Sequence, residues 1–184
     1  MSIVLKQSKA VLIIASMYNN IQNYELSLKE LEKEFGIINT ISIEYIFSHS
    51  NYYNKEMGDN IKKRFLVFEN MIERDYITQV KKITDSIEKK YANNDNRSIN
   101  LDPAILTLEN FILATNKNFT HRIYLKDGVF ADLTLIYKKK EGYSKLPWTY
   151  ADYSSEYTID FLNKIREKFY NKLKESSPFG ANWK

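Results

Sequence analysis

Cysteine is absent from this 184-residue chain, and glycine, proline and histidine are scarce, with five, three and two copies. The lack of cysteine excludes a disulfide framework, a thiolate nucleophile, a cysteine-ligated zinc and an iron–sulfur cluster. The five glycines stand singly, so neither a P-loop nor a dinucleotide-binding glycine motif is present. A metal would need carboxylate ligands such as Glu56, Asp102 or Asp132 and would then be Mg²⁺ or Mn²⁺, and no metal site is assigned.

The chain also lacks a long apolar run and a strong excess of one charge. Residues 10–15 are apolar, but a membrane span needs about 20 such residues. Lys6 and Lys9 precede this run as in a signal peptide, yet no clear cleavage site follows, so we interpret it as the buried first strand of a cytoplasmic protein. The 27 basic and 23 acidic residues give a net charge of +4, and residues 138–140 are typical of a solvated turn. Neither a nucleic-acid partner nor a membrane is expected.

A composition of 43% hydrophobic and 27% charged residues is typical of a globular protein, and we expect a single domain over residues 1–184. The helix predicted after residue 101 has Asp102 as its N-cap and Pro103 at its first position, with Leu108, Phe111 and Ile112 buried. In the first half of the chain, hydrophobic periodicity predicts a strand at 10–17, a helix at 21–35 ended by Gly36, a half-buried strand at 37–47, a strand at 63–70 for which a helix is the alternative, a helix at 76–91 and a turn at 93–96. After this turn it predicts an extended segment at 98–101, the helix from 102, a hairpin at 121–138, and a helix at 155–174 ended by Pro178 and Gly180.

This order of elements predicts an α+β fold. We expect a two-layer domain in which helices cover one face of a mainly antiparallel mixed sheet. The first six elements fit a ferredoxin-like core, to which the C-terminal hairpin and helix would be added.

The hairpin allows the facing of its side chains to be worked out. Asp127-Gly128 is the signature of a two-residue type I′ turn. With these two as turn residues, Ile123 lies opposite Asp132, so that His121 and Asp132 share one face while Arg122 points to the other. A carboxylate beside a histidine fixes its tautomer, which is how a general base is oriented. The alternative is a structural hydrogen bond beneath an apolar sheet.

Polar and aromatic residues are concentrated in residues 50–58, 100–103, 117–122 and 146–153. Such a mixture of aromatic surface and charge is typical of a ligand pocket. The structural alternatives are that Asp102 caps a helix, that Trp148 covers the core, and that the tyrosines pack under a loop. The candidate ligand-binding residues in these segments are Tyr53, Glu56, Asp102, Lys117, Arg122, Trp148, Tyr150 and Asp152.

At these segments the chain resembles an uncharacterised prokaryotic family, domain of unknown function 4416. The resemblance implies a stand-alone cytosolic domain and brings no established activity. The family commonly has an acidic residue where this chain has Asn51, and an acid is typical at the position of Asp132. Among the matching stretches are Tyr52-Tyr53-Asn54-Lys55-Glu56-Met57-Gly58, Asn100-Leu101-Asp102-Pro103, His121-Arg122-Ile123-Tyr124-Leu125 and Leu146-Pro147-Trp148-Thr149-Tyr150.

Two hypotheses about function follow. In the first, the four segments form one pocket for an anionic small molecule, a nucleotide or phosphorylated metabolite, with hydrolase or transferase chemistry as an extension. His121 would be the general acid or base and Asp132 would orient it, while Arg122 or Lys117 would pair with the anion. Tyr53, Trp148 and Tyr150 would form the walls.

In the second hypothesis, the protein is a non-catalytic interaction or oligomerisation module, in which the tyrosines and Trp148 form an exposed patch. A homo-oligomer is one form that such a module could take. The sequence does not identify a cofactor and does not decide whether the protein is an enzyme.

Overall fold

The computed structural model describes residues 8–48, 54–93 and 96–176, in which the chain forms nine strands, four α-helices and one 3₁₀ helix. Every structural statement below refers to these residues. The strands are β1 (Ala10–Tyr18), β2 (Ile38–Ile41), β3 (Tyr45–Ile46), β4 (Lys62–Ile72), β5 (Ile99–Leu106), β6 (Asn110–Thr115), β7 (Arg122–Lys126), β8 (Val129–Lys138) and β9 (Gly142–Lys145). The helices are α1 (Ile21–Phe35), α2 (Asn54–Met57), α3 (Ile77–Lys90) and α4 (Glu156–Ser176), and the 3₁₀ helix is Arg74–Tyr76.

Strand β1 lies at the centre of the molecule, and all nine of its residues are buried. It pairs antiparallel with β4 on one side and with β5 on the other. Leu12 and Ile14 belong to one hydrophobic cluster, whereas Val11 and Ile13 belong to a second. Because neighbouring side chains of a strand point to opposite faces, both faces of the sheet are covered at β1. The prediction of a buried first strand is confirmed.

The order β2-β4-β1-β5, with α1 and α3 as the connecting helices, is that of a ferredoxin-like arrangement. All of these neighbours pair antiparallel. The sheet continues from β5 through β6 and β8 to β7, while β3 pairs with β4 and β9 pairs with β8. The predicted α+β fold with an antiparallel sheet is therefore confirmed.

Helices α1 and α3 pack in the same hydrophobic cluster on one face, as predicted, through residues such as Leu31 and Val80. Helix α4 packs in the other cluster, where Leu162 and Phe169 lie with Phe65 of β4. The covering of both faces explains why β1 has no exposed side. None of the helices within the described ranges is long and apolar enough to cross a membrane.

The helix predicted to start at Asp102 is wrong, because Asp102 and Pro103 lie inside strand β5 and Phe111 lies in β6. Strand β5 pairs with β1 along its length, with Ile14 opposite Pro103. On its other side, β5 pairs with β6 only from Ala104 onward. Pro103 has no N–H to donate, and it lies where no strand hydrogen bond is required on that side. Pairing with β1 therefore overrides the local helix-start signal.

Residues 37–47 form two short strands, β2 and β3, instead of one half-buried strand. Ile41 and Ile43 are exposed, at 41% and 66%, because this segment lies at an edge of the sheet, where it pairs only with β4. The predicted turn at 93–96 is partly described, and Asn93 and Asn96 exchange two backbone hydrogen bonds. Pro178 and Gly180, predicted to end the last helix, lie outside the described residues.

Candidate functional site

A split in the sheet creates the main cavity that we find in the described residues. Strands β5 and β6 pair at only three positions, where residues 104–106 lie opposite 111–113. Residues 99–103, the first part of β5, pair with β1 on one side and have no strand on the other among the described residues. The opening there is a cavity of about 420 Å³, within the size range of small-molecule sites, and is here called the β5–β6 cavity. Helix α3 borders the cavity. Its Glu88 carboxylate accepts a 2.6 Å hydrogen bond from the backbone N–H of Leu101, in the part of β5 that does not pair with β6.

The wall of the cavity is rich in charge of both signs. It contains five basic and five acidic residues. Six of the residues proposed from the sequence line it, namely Asp102, Lys117, Arg122, Asp132, Tyr150 and Asp152. The remaining charged residues of the wall are Lys63, Lys81, Asp85, Glu88 and Arg97.

Arg97 organises the side of the cavity next to α2. Its Nε and Nη2 donate to the two carboxylate oxygens of Glu56 at 2.6 and 2.8 Å. Its Nη1 donates to Glu88 at 3.0 Å and to Asn100 at 2.7 Å. These bonds to Arg97 hold the pKa of the Glu56 carboxyl below its usual value, whereas burial raises the pKa of Glu88. Glu56 thus lies behind the wall and positions Arg97.

Lys81 of α3 lies among several carboxylates. Its Nζ is 2.8 Å from Asp85 Oδ1, and its side chain is 8% exposed. Burial opposes its charge, but the nearby carboxylates of Asp102, Glu88 and Asp85 raise the pKa of Lys81 overall. Asp102 accepts a 2.7 Å hydrogen bond from Asn100, so that it also belongs to this network.

The hairpin positions Asp132 differently from the sequence prediction. The two-residue turn is confirmed, since Asp127 and Gly128 have φ of 53° and 82° and Lys126 lies opposite Val129. A β-bulge between Tyr124 and Lys126 then shifts the register, so that Arg122, and not Ile123, lies opposite Asp132. A shift of one residue turns every side chain to the other face. The predicted facing of Arg122 away from Asp132 is therefore wrong.

The Asp132 carboxylate contacts two side chains, the guanidinium of Arg122 and the imidazole of His121. Its Oδ2 accepts a 2.8 Å hydrogen bond from Arg122 Nε and lies 3.2 Å from His121 Nε2. The remaining guanidinium nitrogens donate to the Lys117 carbonyl at 2.9 Å and to the Tyr150 hydroxyl at 2.7 Å. Arg122 is therefore fixed by three partners, and the predicted contact between His121 and Asp132 is present.

The predicted aromatic residues are divided between His121 and the cavity, because Trp148 packs on His121 whereas Tyr150 lines the cavity. The His121 ring stacks on Trp148 with centroids 5.0 Å apart and planes 14° apart, and Phe119 meets its edge at 5.4 Å. Trp148 Nε1 donates to the Leu133 carbonyl at 2.8 Å. Neither His121 nor Trp148 is among the residues that line the cavity. Tyr53, the third aromatic candidate, lies outside the described residues.

The pair Lys63 and Asp152 forms the innermost charged contact of the wall. The Lys63 ammonium donates to Asp152 Oδ2, and the two side chains are only 2% and 5% exposed. The ring centroids of Tyr153 and Phe65 lie 4.2 and 5.4 Å from Lys63 Nζ, and that of Phe47 lies 5.6 Å away. Asp152 is a predicted site residue, whereas Lys63 is not.

Five basic or acidic residues of the wall are missing from the sequence prediction because their charge suggests a solvated face. Lys63 lies two residues before Phe65 in β4, so the two side chains point to the same face of the strand. This spacing is the signal that the Lys63 side chain points into the core. Lys81, Asp85 and Glu88 recur at i, i+4 and i+7, which places them on one face of α3 beside its apolar stripe. Arg97, in a loop, has no comparable signal.

The fold and the cavity define an α+β protein in which a ferredoxin-like half is extended by further antiparallel strands and split by a charged cavity. The model of the family described as "Domain of unknown function (DUF4416)" matches residues 8–169, and the chain belongs to this family. No curated protein and no solved structure matches the chain.

Proposed function

We propose that the protein binds a small anionic molecule, such as a nucleotide or a phosphorylated metabolite, in the β5–β6 cavity. The observation that carries the proposal is the wall of the cavity, where charged side chains are held in place by hydrogen bonds to one another. Desolvated charges are unfavourable unless they are paired. A ligand that completes their hydrogen bonds would compensate for this desolvation.

Arg122 is the residue best arranged to meet the anion. Its three hydrogen bonds fix the guanidinium and leave one N–H on each terminal nitrogen. Such a fixed fork suits a carboxylate or a phosphate, because two parallel N–H donors match two oxygens. Lys117, whose carbonyl accepts from Arg122, lies beside it in the wall.

The acidic half of the wall narrows the class of ligand. Because the five acidic residues equal the basic ones in number, the wall suits a molecule that brings hydrogen-bond donors together with its anionic group. Asp102 would accept from such a donor, since its described hydrogen bond from Asn100 uses only one carboxylate oxygen. A nucleotide or a sugar phosphate carries such donors on groups separate from its phosphate, whereas inorganic phosphate has no donor outside its own P–OH groups.

Hydrolase or transferase chemistry is an extension of the same proposal, with roles that differ from those expected from the sequence. Asp102 and Asp132 face the cavity, so either carboxylate would serve as the base. His121 contacts Asp132 from outside the cavity and would act as a positioning residue.

We further propose a prokaryotic cytoplasm as the location. The apolar run that could have been a signal peptide forms strand β1, and its removal would take away the centre of the sheet.

A thermal-shift screen with nucleotides, sugar phosphates and inorganic phosphate tests the proposal. A ligand at 100 times its dissociation constant adds about 2.7 kcal/mol of stability, which corresponds to a shift of roughly 5–10 °C for a chain of this size. We expect Arg122→Gln and Asp102→Asn to lose the shift and the exposed Lys139→Gln to keep it. Equal shifts in all of these variants, or no shift with any compound, would refute the proposal.

The interaction module stays as a second candidate because β7 is an edge strand with exposed apolar side chains. Ile123 and Tyr124 are 68% and 59% exposed, and the strand order ends at β7. An exposed apolar edge can pair with a strand of another chain. If the protein forms a homo-oligomer through this edge, Ile123→Lys should reduce the mass measured by light scattering, while Lys139→Gln leaves it unchanged. A monomeric wild-type protein would count against this candidate.

A further inference from the structure

Lys63 has the surroundings of a reactive lysine. Lys63 lies in the wall of the β5–β6 cavity, its side chain is 2% exposed, and its Nζ contacts the Asp152 carboxylate. The centroids of three aromatic rings lie 4.2 to 5.6 Å from the same nitrogen. Lysine is almost never fully buried unless it is paired, and an ion pair at the surface would connect β4 to residue 152 with less desolvation.

We propose that Lys63 forms an imine with a carbonyl compound that carries an anionic group, a 2-oxo acid or a phosphorylated aldehyde or ketone. The inference rests on the proposed ligand site and names the reactive group of the ligand. Lys63 and Arg122 line the same cavity, so one molecule can present its carbonyl carbon to the amine and its anionic group to the guanidinium.

Asp152 supplies the proton transfers that imine formation requires. Its carboxylate takes a proton from the Lys63 ammonium, and the neutral amine then attacks the carbonyl carbon, forming a C–N bond. A proton moves from nitrogen to oxygen to give the carbinolamine. Asp152 returns its proton to the hydroxyl group, which leaves as water while the nitrogen lone pair forms the C=N bond. The net change is one ammonium and one carbonyl converted to one iminium and one water.

The contact between Lys63 and Asp152 favours this sequence of steps. The Asp152 carboxylate already accepts a hydrogen bond from the Lys63 ammonium, so the proton moves along a contact that is present before the ligand binds.

The test is reductive trapping of the wild-type protein followed by peptide mapping. The probes are glyoxylate, pyruvate and dihydroxyacetone phosphate, with propanal as the neutral comparator, each treated with sodium borohydride. We expect the anionic probes to modify Lys63 in preference to exposed lysines such as Lys139, adding the mass of the probe less one oxygen atom. Propanal should lack this preference, since it has no group for Arg122.

Lys63→Arg keeps the positive charge and removes the amine, so that trapping in the cavity should be lost while the adduct on Lys139 stays. Adducts on exposed lysines alone in the folded wild-type protein would overturn the inference whether or not the variant folds.

Stabilisation by glycerol phosphate, which has no carbonyl, measures the anion site separately. Stabilisation without trapping at Lys63 would refute the inference and leave the proposed function intact, whereas trapping without stabilisation would support the lysine and refute the anion site.

Discussion

Removal of the Asp132 charge should strongly destabilise the protein. The Asp132 carboxylate and the Arg122 side chain are 4% and 8% exposed, and they are joined by a 2.8 Å hydrogen bond. Breaking a buried ion pair from one side leaves an uncompensated charge and costs about 3–5 kcal/mol. In Asp132→Asn the guanidinium keeps its bonds to Lys117 and Tyr150, so we expect the lower end, about 3 kcal/mol.

Urea unfolding and thermal unfolding measure this loss. For a chain of this size, about 3 kcal/mol lowers Tm by roughly 6–12 °C. The urea midpoint should fall while the denaturant slope stays unchanged, because the surface exposed on unfolding is the same. The matched control is Glu141→Gln, which removes the exposed pair between Lys138 and Glu141 at 3.0 Å and should change stability far less, because solvent screens the pair.

A double-mutant cycle identifies the partner. If Arg122 is the charge left uncompensated, Arg122→Gln combined with Asp132→Asn should cost less than the sum of the single changes. Additive losses, or a loss in Asp132→Asn no larger than that in Glu141→Gln, would refute the reasoning from burial.

Two further predictions concern stability. Burial raises the pKa of Glu88 above 4.5, so the folded state binds this proton more tightly than the unfolded chain, and stability should decline as pH rises from about 4.5 through the folded pKa. Urea unfolding across this range should show a decline that Glu88→Gln lacks, and parallel curves would contradict the assignment. Gly128→Ala should cost about 1 kcal/mol, because φ is 82° and the space beside it is open. Gly36→Ala should cost more, since its φ is 89° and the new Cβ would clash with the Asn70 side chain; similar melting temperatures for the two variants would argue against this.

Local patterns in the sequence account for much of the fold. Strand β1, helices α1, α3 and α4, and the turn at Asp127-Gly128 are all predicted from the sequence and present in the structure. Each depends on a signal within a few residues, either an apolar period of two or 3.6 or a turn that needs positive φ. The single-domain prediction stays a prediction, although every named strand belongs to one sheet.

The candidate site is only partly predictable in the same way. Five residues of the cavity wall follow from sequence segments that mix charge with aromatic surface. Asp132 and its contact with His121 are predicted from the hairpin instead, and the contact is present although the register behind that prediction is wrong. Lys63 is missed because a lysine in a run of basic residues suggests a solvated face, and only its pairing with Asp152, 89 residues away, makes burial tolerable.

The sequence by itself thus determined the elements with strong local periodicity and the class of the fold. Only the tertiary structure decided that residues 99–106 form a strand, because pairing with β1 outweighs the helix-start signal of Asp102-Pro103. It also decided the bulge that turns Arg122 toward Asp132, and the separation of β5 from β6 that opens the cavity. These features depend on which strands pair and in what register. The free energy that decides the pairing comes from contacts between residues far apart in the chain.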